Sequence, residues 1–179
     1  MSNILATPSI LSFALNKAFA NNLGHAVYLD LYTGTKPTKT ELESSNIYKD
    51  DGTGWIDPDK WDAFISVQGM DIIRRFALDD FSSNTLIADN IVTFGFGDRD
   101  KSSYQKSSHA NNVFNAGQIT WFAIRSMSAD FATQHYTFTG TVSDMDGSGE
   151  LRLSKSTVTQ VDLIFPSNVS IDIGNLLVM

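Results

Sequence analysis

The sequence predicts a mainly β fold, an antiparallel β-sandwich of jelly-roll type with one N-terminal α-helix. Several short segments alternate apolar and polar residues, and turn residues separate most of them, which is typical of a sandwich with short strands. One stretch near the N-terminus instead repeats its apolar residues at three- and four-residue spacing, as a helix does. The chain has 179 residues, of which 42% are hydrophobic, so we expect residues 1–179 to form a single domain.

The predicted helix lies in residues 1–24. Thr7 or Ser9 can cap its start, and Pro8 suits its first turn. Its apolar stripe includes four large side chains that are candidates for a subunit interface: Ile10, Leu11, Leu15 and Phe19. The stripe must pack against either the sheet or a neighbouring subunit, and the sequence leaves both arrangements open. The segment lacks the early Lys or Arg of an export signal, so we expect it to belong to the mature protein.

Residues 25–179 are predicted to form the sandwich. In the first alternating segment, 26–32, the side chains of Tyr28, Asp30 and Tyr32 lie on one face and the aliphatic side chains on the other. Four later segments continue the alternation: 120–125, 135–142, 150–153 and 168–174. This pattern predicts antiparallel sheets that have one face on the core and the other in water.

Two polar segments, 35–63 and 97–117, lack this alternation and are predicted to be loops. Thr38 and Glu41 in the first loop have the spacing of a capping box, so a short helix is expected to begin there. The second loop is long for a compact domain, and loops of that length commonly carry function.

Charge and composition exclude several classes of protein. The formal net charge of −7 repels phosphate groups, so neither nucleic acid nor an anionic membrane is an expected partner. No apolar stretch approaches the length of a membrane span. The chain has no cysteine, which rules out disulfides and thiolate metal sites.

The sequence contains no catalytic or cofactor motif. The three histidines lie far apart, and no serine stands in a nucleophile-elbow motif. The Gly-rich segment "GFGDRD" lacks the third glycine of a dinucleotide fingerprint. We therefore predict a protein that is not an enzyme and has no cofactor.

The segment "DMDGSGE", residues 144–150, matches half of a calcium-binding loop. Asp144, Asp146 and Ser148 occupy ligand positions of an EF-hand, but Lys155 stands where that loop needs a bidentate glutamate. The flanking residues alternate like strands, whereas an EF-hand needs helices. A hairpin loop is therefore the preferred interpretation, and calcium on Asp144, Asp146 and Ser148 is the alternative.

The segment "WIDPDKWDAF" places Trp55 and Trp61 among three carboxylates: Asp57, Asp59 and Asp62. Acidic pairs beside tryptophan can form a sugar-stacking platform or a glycosidase site. The other interpretation is a loop whose two indoles close the end of the sandwich. We prefer this second interpretation, because the chain offers no further catalytic constellation. Trp55 and Trp61 are also candidates for subunit contacts.

Four segments together resemble the small virion proteins of tailed bacteriophages. The first is "LYTGTKPT", residues 31–38, in which a strand runs into Thr-Gly-Thr and a proline. The others follow in order: the strand "GQITWFAIRS", the hairpin "FTGTVSDMDGSGELRLSKSTV" and the closing strand "NVSIDIGNLLVM". The resemblance covers residues 26–38 and 117–179, while 39–63 and 97–117 depart from it. The physical chemistry of the strand end agrees, since Gly34 can adopt a positive φ and Pro37 cannot donate to a sheet ladder.

The resemblance implies a non-enzymatic structural protein of the virion, such as a capsid decoration, neck, tail or baseplate component. It implies a homo-oligomer that contacts other virion proteins and assembles in the host cytoplasm. The alternative is a carbohydrate-binding or host-receptor-recognition module on the phage tail, with a host surface glycan as its partner. Exposed aromatic residues on loops would carry that alternative function: Trp55, Trp61 and Tyr104.

Overall fold

The described part of the chain is built mainly of strands, which confirms the prediction of a mainly β fold. The structure is a computed structural model, and it describes residues 26–78, 85–88, 91–94, 115–127, 132–160 and 169–172. The predicted N-terminal helix, with Ile10, Leu11, Leu15 and Phe19, lies outside the described residues, and so does Tyr104.

Within the described residues the elements form three sheets and two helices. In chain order the elements are β1 Ala26–Tyr32, α1 Lys39–Ser44, α2 Pro58–Val67, β2 Ile72–Leu78, β3 Thr85–Ala88, β4 Ile91–Phe94, β5 Gly117–Gln118, β6 Trp121–Met127, β7 Gln134–Asp144, β8 Leu151–Leu153, β9 Thr157–Val158 and β10 Val169–Asp172. The strand orders are β2-β1-β6-β7-β8, β10-β4-β3 and β5-β9.

The five-stranded sheet is mixed, which corrects the prediction of a purely antiparallel architecture. β7 and β8 run parallel, with Val142 opposite Leu151, whereas β1 pairs antiparallel with both β2 and β6. The segment 145–150 therefore carries the chain back along β7, and the predicted hairpin is a short crossover. Gly149 allows this close passage, because a Cβ there would lie 2.7 Å from the backbone nitrogen of Ser143. The amide of Gly149 instead donates to Ser143 Oγ at 3.0 Å.

Both faces of β1 are buried, so the prediction of one face in water is wrong for this strand. The last four residues of β1 are all buried from solvent: Leu29, Asp30, Leu31 and Tyr32. The cause is the connection between β1 and β2, residues 33–71, which folds over the face that carries Tyr32. The alternation of apolar and polar residues therefore predicted the strand correctly, but it could not predict that another segment covers the polar face of the strand.

The two helices both lie in this connection. The short helix predicted at Thr38 is confirmed as α1, since Glu41 N donates to Thr38 Oγ1 at 3.2 Å and Thr38 N donates to Glu41 Oε2 at 2.7 Å. α2 corrects the prediction of a loop over 35–63. It begins after Asp57, whose Oδ1 accepts from the backbone N–H of Asp59 at 3.0 Å, and it has Pro58 in its first turn.

A hydrophobic core joins the connection to β1 and β6. Its buried members are Tyr32, Leu42, Ile47, Ile56, Trp61, Ile65, Met70, Trp121 and Ala123. α1 contributes Leu42 to this core, and α2 contributes Trp61 and Ile65. The segment predicted as a polar loop therefore supplies a large share of the buried apolar surface, and removing it would uncover the sheet.

A substitution at Gly140 tests how tightly the opposite face of the sheet is packed. Gly140 on β7 lies opposite Phe122 on β6, and a Cβ at Gly140 would lie 2.4 Å from Phe122 Cε1. The Phe122 ring is buried and cannot move aside freely. We expect Gly140→Val to lower the free energy of unfolding by about 1–3 kcal/mol, measured by urea denaturation.

The control for Gly140→Val is Thr139→Val, one residue earlier on the same strand. Thr139 lies on the other face of β7, opposite Ala123, and is partly exposed. We expect this substitution to stay within about 0.5 kcal/mol of the wild type. Equal effects of the two substitutions would contradict close packing of Phe122 against Gly140.

Candidate functional site

Two segments of the phage resemblance contact each other directly, in what we call the strand-end clamp: Tyr32, Thr33, Thr120 and Trp121. The Tyr32 and Trp121 rings are stacked, with centroids 4.2 Å apart and planes inclined by 10°. Trp121 Nε1 donates to the Thr33 carbonyl at 2.9 Å, and Thr120 N donates to the Tyr32 carbonyl at 2.9 Å. Gly34 follows with a φ of +82°, which confirms its predicted turn conformation.

Beside the clamp lies an ionic cluster, formed by Asp30, Arg75 and Arg125 in the interior and by Asp62, whose side chain is 60% exposed, at its edge. These residues come from β1, β2, β6 and α2 in that order. The strand pairing explains part of the arrangement, because Arg75 is the direct partner of Asp30 in the register of β2 and β1. Two positive and two negative side chains therefore meet where three strands and one helix come together.

Asp30 is the centre of the cluster and is 0% exposed. Its Oδ1 accepts from Arg75 Nε at 2.7 Å, and its Oδ2 accepts from Arg75 Nη2 at 2.8 Å, so this pair is bidentate. Oδ2 also accepts from Arg125 Nη1 at 3.0 Å and from the Tyr32 hydroxyl at 3.1 Å. Four donors around one carboxylate offset much of the cost of removing its charge from water.

Arg125 connects the cluster to the rest of the fold. Its Nη1 donates to Asp62 Oδ1 of α2 at 3.2 Å, and its Nε donates to Gln134 Oε1 at 2.7 Å. The Arg125 guanidinium also lies 5.6 Å from the centre of the Trp61 ring, within the range of a cation–π contact. This one side chain therefore links β1, α2 and the start of β7.

A second link between α2 and the sheet runs through Trp61 and Tyr32. Trp61 Nε1 donates to the Tyr32 hydroxyl at 3.3 Å, and that hydroxyl donates to Asp30. Burial and the neighbouring charge of Asp30 raise the pKa of Tyr32. The hydroxyl therefore keeps its proton and stays a donor to the carboxylate at any ordinary pH.

Burial and the two neighbouring arginines determine the pKa of the Asp30 carboxyl. Burial alone would raise the pKa of this carboxyl, but the hydrogen bonds from Arg75 and the charges of Arg125 and Arg75 outweigh burial and hold the pKa below its ordinary value. Burial acts in the opposite direction on Arg125 and would lower its pKa, but the negative charges around it, Asp30 first, outweigh burial and raise that pKa. Asp30 is therefore a weak base with its lone pairs directed at donors, which suits it to holding strands together.

Asp30 gives the fold a specific dependence on acid. Its folded-state pKa is lower than the ~3.9 of an unfolded aspartate, so the unfolded chain takes up this proton first as the pH falls. The stabilisation is thus complete above about pH 5 and is lost progressively as the pH falls through the folded pKa. We expect Asp30→Asn to be less stable than the wild type at pH 7 and to lose less stability between pH 5 and pH 2.

Urea denaturation at several pH values checks this expectation. The wild-type curve of unfolding free energy against pH should be steeper in acid than the Asp30→Asn curve. Other carboxylates contribute to both curves, among them Glu150, so only the difference between the curves reports Asp30. Two parallel curves would contradict the assignment of a lowered pKa to this residue.

The two tryptophans of the predicted platform separate in the structure. Trp61 is 0% exposed and lies in the hydrophobic core, so its predicted role in a subunit contact or a sugar platform is wrong. Helix α2 causes this, because it turns Trp61 towards Tyr32, whereas Trp55 precedes the helix and stays at the surface. Trp55 is 42% exposed, and its interface role stays a prediction.

The three carboxylates near the tryptophans also take different roles. Asp57 caps α2, Asp62 pairs with Arg125, and Asp59 lies exposed in the first turn of α2. Each position follows from its place on the helix, since Asp57 precedes the first turn and Asp62 lies beside Trp61. They form no pair of facing carboxylates of the kind that a glycosidase site needs.

The calcium alternative concerns the crossover between β7 and β8. Asp144 ends β7, and its Oδ1 accepts from the backbone N–H of Ser156 at 2.6 Å, while Asp146 and Ser148 are exposed in the turn. Among the described residues, no group of three histidine or acidic side chains is placed to hold a metal ion. Calcium on Asp144, Asp146 and Ser148 stays a prediction.

The central residues of the ionic cluster were not identified from the sequence. Asp30 was assigned to a solvent-facing side of β1, and Arg75 and Arg125 were not singled out. A signal was present, because each of the three charges stands in the middle of an apolar or aromatic strand segment. Opposite charges in the middle of neighbouring strands are expected to pair across a sheet.

Comparison with known proteins adds no relative to this description. Protein-family models, curated proteins and solved structures all gave no significant match to the chain. The helices of the described residues include none with the length and hydropathy of a bilayer-spanning segment.

Proposed function

We propose that this chain is a non-enzymatic structural protein of a tailed-bacteriophage virion, a capsid decoration, neck, tail or baseplate component that acts through subunit contacts. In this proposal the sheets form a sandwich of jelly-roll type, and the protein works as a homo-oligomer beside other virion proteins. It assembles into the particle in the host cytoplasm, and its partners include neither nucleic acid nor a membrane.

The ionic cluster is the observation that carries this proposal. Asp30 is fully buried, its acceptors are occupied by Arg75, Arg125 and Tyr32, and the cluster fastens α2 to three strands. A charged group so enclosed stabilises one arrangement of the fold and has no surface to offer a substrate. A fixed scaffold is what a subunit needs when many copies must fit the same lattice.

The strand-end clamp supports the same proposal in a second way. The segments "LYTGTKPT" and "GQITWFAIRS", which carry the resemblance to virion proteins, pack on each other through the Tyr32–Trp121 stack. The two segments therefore form one structural unit in this chain, held together by the Tyr32–Trp121 stack and by the hydrogen bond from Trp121 to Thr33.

The test is to purify particles of the phage that encodes the chain and to measure its amount by mass spectrometry. We expect the chain in multiple copies at a constant ratio to the major capsid protein, and labelled antibody should mark one region of the particle. Truncation of residues 1–22 is expected to reduce incorporation, since the stripe of Ile10, Leu11, Leu15 and Phe19 is the proposed docking helix. Absence of the chain from purified particles would refute the proposal.

The exposed side chain of Trp55 favours one alternative, a carbohydrate-binding or receptor-recognition module on the phage tail. An indole at the surface can stack on a sugar ring, and carboxylates nearby can accept its hydroxyl hydrogens. A glycan array probed with the purified chain tests this alternative. Binding that Trp55→Ala abolishes would support it, and an array without binding would dismiss it.

A further inference from the structure

The chain contains two Asp-Gly dipeptides, Asp51–Gly52 and Asp146–Gly147. In such a dipeptide the amide nitrogen of glycine can attack Cγ of the aspartate, because glycine has no Cβ to hinder the approach. Loss of water closes a succinimide ring, and a second water molecule opens it. Opening at the main-chain carbonyl leaves isoaspartate, in which the chain continues through Cβ and Cγ. The two dipeptides are chemically identical, so a difference in their reactivity must come from the fold.

Asp51–Gly52 lies at the exposed tip of a turn, residues 47–57. The two arms of this turn are paired, since Lys49 N donates to the Trp55 carbonyl at 2.8 Å. Apart from the chain neighbours of Gly52, no atom of the described residues lies within 4 Å of the place where a Cβ of Gly52 would stand. The Asp51–Gly52 peptide therefore has room to rotate towards the carboxyl group, and water reaches both residues.

Thr53 supplies two donors to one oxygen of the Asp51 carboxyl. Oδ1 accepts from Thr53 N at 3.0 Å and from Thr53 Oγ1 at 2.6 Å. The hydrogen bond from Thr53 N closes a ring that contains both Asp51 Cγ and Gly52 N, so the two reacting atoms are held near each other. Attack on Cγ places a negative charge on Oδ1, and donors already directed at that oxygen stabilise the charge.

The same donors also oppose the reaction in one respect. Hydrogen bonds from the side chain and backbone of Thr53 lower the pKa of Asp51, and the charge of Lys49 acts in the same direction. Less of the carboxyl is then in the neutral form, whose hydroxyl can leave as water. The carboxylate shares its charge over two oxygens, however, whereas the tetrahedral intermediate holds it on Oδ1 alone. The donors therefore stabilise the intermediate more than the carboxylate, which favours reaction.

The second dipeptide, Asp146–Gly147, lies in a more closed environment. Gly147 N, the atom that would attack, donates to the Asp144 carbonyl at 2.9 Å. A Cβ at Gly147 would overlap the side chain of Ser143, so the backbone here packs directly against β7. Both contacts resist the rotation that would bring Gly147 N to Asp146 Cγ.

We propose that Asp51–Gly52 is a site of spontaneous isomerisation to isoaspartate, assisted by Thr53, and that the fold protects Asp146–Gly147. Gly52 N bonds to Asp51 Cγ and its proton passes to water, while Oδ2 takes up a proton and leaves as water. The water that opens the ring restores the atoms lost, so the reaction needs neither an oxidant nor a cofactor. The product has one more carbon in its main chain at position 51. This modification goes beyond the proposed virion role and does not depend on it.

The experiment is to store the purified full chain at neutral pH for several weeks and to digest samples with trypsin. Trypsin releases the two dipeptides in separate peptides, 50–60 and 126–152. Chromatography resolves the isomers of each peptide, and electron-transfer fragmentation assigns the isoaspartate. We expect isoaspartate to form at position 51 at least about threefold faster than at position 146, the size of about one hydrogen bond.

Two variants at Thr53 test its assistance. Thr53→Ala removes the Oγ1 donor and should slow isomerisation at position 51 by about threefold to tenfold. Thr53→Ser keeps the hydroxyl and should stay within about twofold of the wild type. Circular dichroism checks that both variants keep the fold, which is expected because Thr53 is exposed. In guanidinium chloride the rates at positions 51 and 146 should become equal within about twofold, because the contacts that distinguish them are lost.

Three outcomes would overturn the inference: no isoaspartate at position 51, equal rates at positions 51 and 146 in the folded chain, or no slowing by Thr53→Ala. Faster isomerisation of Thr53→Ala would assign Thr53 the opposite role, that of protecting Asp51 by keeping it ionised. A negative storage experiment leaves the virion proposal intact, and absence of the chain from particles leaves the isomerisation intact, so the two failures are distinguishable.

Discussion

Asp30→Ala is expected to lower the free energy of unfolding by about 3–5 kcal/mol, because it leaves two arginines without their shared carboxylate in the interior. Arg125 is 2% exposed in its side chain and cannot turn to water, and Arg75 is mostly buried. The loss should appear in urea denaturation at pH 7, followed by circular dichroism and by indole fluorescence together.

An exposed ion pair provides the control for this substitution. Glu43→Ala breaks the pair between Lys39 and Glu43 on α1, whose side chains are well exposed, and should cost less than about 0.5 kcal/mol. If Asp30→Ala prevents folding, Asp30→Asn keeps the shape and one acceptor and still tests the charge. A loss below about 1 kcal/mol for Asp30→Ala would show that the cluster does not hold the fold together.

An apolar replacement of the cluster separates stability from specificity. Replacing Asp30, Arg75 and Arg125 together with leucine and methionine removes every buried charge that pairs with Asp30. We expect this triple variant to be more stable than Asp30→Ala alone, since well-packed apolar groups often replace buried ion pairs at little cost. The result would show that the apolar core, and not the ion pairs of the cluster, supplies most of the stability of the fold.

The strands were predictable from the sequence because their signal is local. Alternation of apolar and polar residues over 26–32 places Leu29 and Asp30 on opposite faces, and the structure agrees. The same alternation cannot tell a face in water from a face covered by another segment, since a paired charge and a solvated charge look alike in sequence. Asp30 was misassigned for this reason.

The two helices between β1 and β2 show which helices a local sequence pattern can predict and which it cannot. α1 was found from the capping box of Thr38 and Glu41, which depends on residues three apart. α2 carried an equally local signal, with Asp57 and Pro58 at its start and Trp61 four residues before Ile65. The polarity of the surrounding segment concealed it, because exposed carboxylates and lysines interrupt the short apolar stripe.

No local sequence pattern predicts that β8 pairs with β7 in parallel. Leu151 and Leu153 were correctly assigned to one face of a strand, and both are buried. Whether that strand returns antiparallel or crosses back to run parallel depends on the path of segment 145–150. That path depends on close contacts of Gly147 and Gly149 with Ser143, which no periodicity reports.

Trp61→Ala is expected to lower the free energy of unfolding by about 3–5 kcal/mol, while Trp55→Ala should change it by less than about 1 kcal/mol. The substitution at Trp61 leaves a cavity in the core, and it removes the indole donor to Tyr32 and the ring beside Arg125. The substitution at Trp55 removes a side chain from the surface, and the Ile56–Gln134 backbone pairing remains.

The two variants carry the same chemical change six positions apart, so their difference measures burial and not the loss of an indole as such. Chemical denaturation of both variants under one set of conditions gives that difference directly, and acrylamide quenching should reach the Trp55 fluorescence more readily than that of Trp61. If Trp55→Ala were the more damaging change, α2 could not pack Trp61 against Tyr32 as described. The ionic cluster would then lose its helix partner Asp62, and the argument for a scaffold fixed by buried charges would fail with it.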